Sequence, residues 1–78
     1  MINFCRLPVI MSTYAETKSA EYQFINIYYV LWVSHRHRLD GVELSDECDL
    51  MLKPSWSLRI AMSAEECSKR IHDASKEL

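Results

Sequence analysis

The chain has a single glycine, Gly41, which directly follows Asp40 and lies between Leu39 and Val42. Asp-Gly is the favoured dipeptide of a two-residue type I′ hairpin, because both central residues of that turn need positive φ. A reversal there predicts a strand pair that joins Leu39 to Val42 and Arg38 to Glu43, running outward to Leu31 with Leu50. The pairing sorts side chains by chemistry. One face carries Leu31, Val33, His35, His37 and Leu39 against Leu50, Cys48, Asp46, Leu44 and Val42. The other carries Trp32, Ser34, Arg36 and Arg38 against Asp49, Glu47, Ser45 and Glu43. A slip of one residue would exchange the two faces, so the sorting itself argues for the pairing. The competing reading begins a helix at Ser45, where Asp46 and Glu47 would complement the helix dipole.

Upstream, nine of the twelve residues from Tyr22 to Val33 are β-branched or aromatic. Such side chains crowd a helix and fit a pleated surface, so one long strand is expected, continuing toward His37. Ile2 to Met11, interrupted at Pro8, reads as a first strand, with Pro8 suited to an edge strand or a strand end. Thr13 and Glu16 have capping-box spacing, which predicts a short helix over about 14–21. Beyond Lys53-Pro54-Ser55, Trp56, Leu58, Ile60 and Met62 alternate with Ser57, Arg59 and Ala61 as in a half-buried strand. Ser63 and Glu66 form a second capping box opening a run to Leu78 that contains neither glycine nor proline. Its apolar stripe is Cys67, Ile71, Ala74 and Leu78. The expectation is one α+β domain over residues 1–78: an antiparallel sheet of about four strands, a short helix after the first, and a C-terminal helix on one face.

At 78 residues, folding hides roughly 63% of the chain's surface, so stability is modest. Cys5, Cys48 and Cys67 are odd in number and never spaced C-x-x-C, which argues against a disulfide scaffold. Arg6 and Pro8 break the opening apolar run, unlike a secretory signal, and Phe24 to Val33 is about half of what a membrane helix needs. A cytoplasmic protein with reduced thiols and no membrane contact is expected.

Little in the chain offers catalysis. One glycine cannot build a phosphate loop, and no carboxylate pair has acid/base spacing. Cys67 and His72 are five residues apart, on different sides of their helix. His35-x-His37, with Asp46 opposite and Cys48 diagonal, has a zinc-ligand spacing, but its place near a hairpin tip suits solvated side chains. No cofactor, metal or catalytic residue is assigned.

The long strand is the unusual feature, being apolar on both faces while one helix covers only one. Its even face displays Tyr22, Phe24, Tyr28 and Trp32 followed by Arg36 and Arg38, residue types enriched at protein interfaces. Glu43, Asp46, Glu47 and Asp49 form a second, acidic group suited to a basic groove on a partner. These ten residues predict a non-catalytic interaction protein, an adaptor or small inhibitor that docks on a larger complex or on itself. By base rate, phage and mobile-element accessory proteins, anti-CRISPR proteins among them, are chains of this kind. The alternative is a nucleic-acid binder that stacks bases on the aromatics. It is disfavoured by a net charge of −2 and by the acids beside the arginines.

Overall fold

A computed structural model describes residues 4–12 and 19–76. The elements in chain order are β1 (Phe4–Ser12), β2 (Ser19–Asn26), a 3-10 turn (Ile27–Tyr29), β3 (Val30–His37), β4 (Glu43–Leu52), β5 (Trp56–Ile60) and α1 (Ala64–Ser75). The fold is α+β: one antiparallel sheet in the order β2-β1-β5-β4-β3, with a C-terminal helix. Five strands form where about four were expected, because the long apolar run yields two.

That run breaks at its polar residue. Asn26 Oδ1 accepts from the Tyr28 amide at 3.0 Å, and the Val30 amide closes the turn onto the Ile27 carbonyl. An asparagine side chain competing with the ladder in this way is a known terminator of regular structure. β2 and β3 then part to opposite edges of the sheet. In a flat sheet of five strands those edges lie roughly 19 Å apart at about 4.8 Å per strand, whereas the steps from Asn26 to Val30 reach at most about 14 Å. The sheet therefore curls. β1 and β5 pair at one position, Val9 with Ile60, reinforced by the Ala61 amide donating to the Pro8 carbonyl at 2.9 Å.

The helix α1 lies in the resulting concavity, touching β1, β3, β4 and the 3-10 turn. Cys5, Leu7 and Val9 from β1, Ile25 from β2, Cys48 and Leu50 from β4, Ile60 from β5, and Ala64 and Cys67 from the start of α1 form the buried core. Ser63 caps the helix by accepting from the Glu66 amide at 3.1 Å, as its capping box predicts. Ile71 and Ala74 extend the apolar stripe, while Leu78 lies outside the described residues.

Three expectations need correction besides the strand count. Pro8 marks neither an edge strand nor a strand end, since it lies in the middle of β1, which is flanked by β2 and β5. Residues 19–21, assigned to a short helix over 14–21, belong to β2, where Ala20 pairs with Ile10 and Glu21 with Val9; residues 14–18 lie outside the described residues. Cross-strand pairing with β1 overrides a weak local helix preference there. The hairpin turn also differs. The Gly41 amide donates to the Arg38 carbonyl and the Arg38 amide to the Val42 carbonyl, so Leu39, Asp40 and Gly41 make a three-residue loop with Gly41 alone at positive φ (87°). Such a loop is a type I turn followed by a left-handed residue.

Registry follows from that loop and from a bulge beyond it. His37 pairs with Glu43, but His35 then pairs with Cys48, Ser34 with Asp49 and Val33 with Leu50. This stands two positions from the expected pairing, an even displacement, so it preserves the faces: Val33 and Leu50 still point inward, Ser34 and Asp49 outward. The region from Ser45 onward is strand, not helix.

Candidate interaction surface

The convex face, turned away from α1, holds the even-numbered residues of β2 and most of those of β3. Phe24 stands opposite Arg6 and Tyr22 opposite Pro8. Tyr22 is 55% exposed, Phe24 71%, Tyr28 56% and Trp32 56%. The Arg6 guanidinium lies 4.7 Å from the centre of the Tyr22 ring, a cation–π contact that orients both groups. Phe4, across from Asn26, is also exposed on this face.

A second irregularity decides where Trp32 points. Val30 pairs with Leu52 and Trp32 with Met51, so Leu31 is an extra residue bulged from β3. Val30 consequently joins the core side although strict alternation would set it on the face of Trp32, and Leu31 is left 43% exposed. Trp32 faces outward at the sheet edge. It also borders a groove of about 320 Å³ between β3 and α1, together with Val30, Val33, Ser68, Ile71, His72 and Ser75.

Among the described residues β2 and β3 are the two edge strands, each paired with another strand on one side only. The aromatics therefore lie along the two edges of the described sheet. The 3-10 corner adds Tyr29, exposed like Tyr28.

The arginines of the expected site are less free. Arg36 Nη1 donates to Asp49 Oδ1 at 2.9 Å. Arg38, expected opposite Glu43, instead grips Asp40 within the turn at 2.6 and 3.3 Å, because the three-residue loop moves Glu43 opposite His37. The Arg38 guanidinium, with the Val42 amide, holds the Asp40 carboxyl below its ordinary range.

The acidic group is dispersed. Glu43 contacts His35. Asp46 is exposed in the bulged stretch between the two registers of β4. Glu47 is 2% exposed and bonds Arg59, while Asp49 bonds Arg36. Glu47 and Asp49 are thus occupied by intramolecular partners on the convex face. The bulge also removes Asp46 from its expected position opposite His35, so the expected His35, His37, Asp46 and Cys48 cluster is not assembled in that arrangement.

All three cysteines are buried and free. The neighbouring Cys48 side chain and burial push the Cys67 thiol well above its ordinary value. A thiol so held behaves as a small apolar core group. Among the described residues no helix is long and apolar enough to cross a membrane.

Sequence reasoning missed Phe4, Tyr29 and Trp56, which is 66% exposed. Each sits where a strand begins or a corner turns, and alternation patterns carry no signal for such positions. No protein-family model, curated protein or solved structure matches the chain.

Proposed function

We propose that the chain is a non-catalytic protein-interaction module, an adaptor or small inhibitor, that docks through the bent convex edge formed by β2, the 3-10 corner and β3. The observation that carries this reading is the coincidence of four aromatics, each more than half exposed, with two strand edges that no other described strand covers. Exposed aromatic surface of this kind on a small domain is a recurrent mark of a docking site, and free edges accept a strand from a partner.

Nucleic acid is the second reading, and the arginines weigh against it. Arg36 and Arg38 are neutralised by Asp49 and Asp40, and Arg6 stacks on Tyr22, so few cations are left beside the aromatics to meet phosphate.

The test joins light scattering on the purified protein with affinity capture by the wild type and by Trp32→Ala and Phe24→Ala. Because both side chains are largely exposed, the far-UV spectrum should stay unchanged while self-association or partner capture falls at least tenfold. Complexes that form equally well with both variants contradict the reading.

A further inference from the structure

Away from the aromatic edge, three side chains with metal-ligand chemistry converge beside the start of the helix. His35 of β3, Glu43 at the first position of β4 and Glu65 in the first turn of α1 each bring a ligand atom to within 4.8 Å of the others. Glu43 Oε1 contacts His35 Nδ1, and Glu65 Oε1 stands 4.0 Å from Nε2 of the same ring. Three separate elements supply them, so the convergence is a product of the tertiary fold.

The local charge balance leaves a place for a cation. Asp40, Asp49, Glu47, Glu66 and Asp73 each pair with an arginine or lysine. Among the described residues neither Glu43 nor Glu65 has such a partner; both turn to one imidazole. Two carboxylates then face each other across a ring that can supply at most one positive charge, whereas a divalent cation would balance both.

We propose that His35, Glu43 and Glu65 bind a divalent first-row transition cation of the zinc type. One imidazole nitrogen with two carboxylate oxygens suits such an ion, whereas an all-oxygen set would favour magnesium or calcium. Ligand atoms about 2.0–2.2 Å from a tetrahedral zinc stand roughly 3.4 Å from one another, so the wider separations among these three, up to 4.8 Å, have to close by about an ångström, while the His35–Glu43 contact has to open and the imidazole has to turn one nitrogen toward both carboxylates. Their side chains, 43%, 50% and 73% exposed, have room to do so by rotation, and water takes the fourth position. The bound ion would fasten the β3–β4 hairpin to the first turn of α1. That gives a small domain a cross-link between its sheet and the helix that closes its core.

The experiment titrates the metal-free full-length chain with zinc sulfate by calorimetry, with native mass spectrometry for stoichiometry and circular dichroism for thermal unfolding. One zinc per chain is expected, with a melting midpoint that rises with zinc concentration and is unmoved by magnesium chloride. His35→Ala and Glu65→Gln should each weaken zinc binding at least tenfold while leaving the zinc-free melting curve close to that of the wild type. Glu43→Gln should do the same, which guards against an unexpected folding defect in either of the others. Failure to take up stoichiometric zinc overturns the proposal. So does wild-type affinity in all three variants, which would assign the ion to other ligands such as His37 or His72. Neither result bears on the aromatic edge.

Discussion

Glu47 and Asp49 sit on the same face of β4, yet their environments call for different energetics. Glu47 is almost wholly buried and bonds Arg59, whereas the Arg36–Asp49 pair is about a quarter to a third exposed. Water screens the second pair, so losing it costs under about 1 kcal/mol. Losing one partner of a fully buried pair costs about 3–5 kcal/mol. Arg59 is itself 28% exposed, and Glu47 has a further contact, so Arg59→Ala should cost about 2 kcal/mol, within the range that partial burial leaves. In thermal unfolding this appears as a fall of roughly 10 °C for Arg59→Ala and a clearly smaller one for Arg36→Ala. Equal losses in the two variants would contradict the burial assigned to Glu47. The sequence offers four acids in one short stretch and no means of separating them, because burial on the outer sheet face depends on which strand lies alongside.

At the scale of elements, the β3–β4 hairpin is held at its tip by Asp40, which binds Arg38 and accepts from the Val42 amide at 3.1 Å. These partners favour the carboxylate and lower its pKa below the ordinary 3.8. A depressed carboxylate contributes stability that is fully present above the unfolded-state value and is lost as pH falls through the folded-state one. The Gly41 and Val42 amide resonances should therefore titrate with a midpoint below 3.8, and the tip should loosen under that pH. A midpoint at or above 3.8 contradicts the clamp. The reversal at Gly41 was legible because the chain has one glycine, the residue that enters the left-handed region at least cost, and it follows an aspartate. The loop length was not, since Asp-Gly serves both a two-residue turn and the last two positions of a three-residue one. Beyond the later bulge the strand faces survived that error, because the displacement there is even, whereas Glu43 shares the face of His37 instead of the expected face of Arg38. The break at Asn26 was readable in principle as the one polar residue in an apolar run, although asparagine within a strand is ordinary enough that the side-chain cap shows only in three dimensions.

For the whole molecule, the three residues between the sheet's two edges dictate the curvature, and the curvature divides the surface. The concave side takes the helix and almost all of the aliphatic core, while the aromatics of β2 and β3 remain outside. Composition showed that a single helix cannot cover two apolar faces, and so the existence of an exposed aromatic surface could be read from the sequence. Its shape could not, because strand order follows from pairings between distant segments such as Val9 with Ile60. The most direct measurement is amide hydrogen exchange on the chain alone and in the complex or oligomer it forms. Protection is predicted to rise across residues 22–32, where edge amides gain partners, with the outer face of α1 around Lys69 and Lys76 unchanged. Protection that rises on the helix while the aromatic edge exchanges as before would contradict the account.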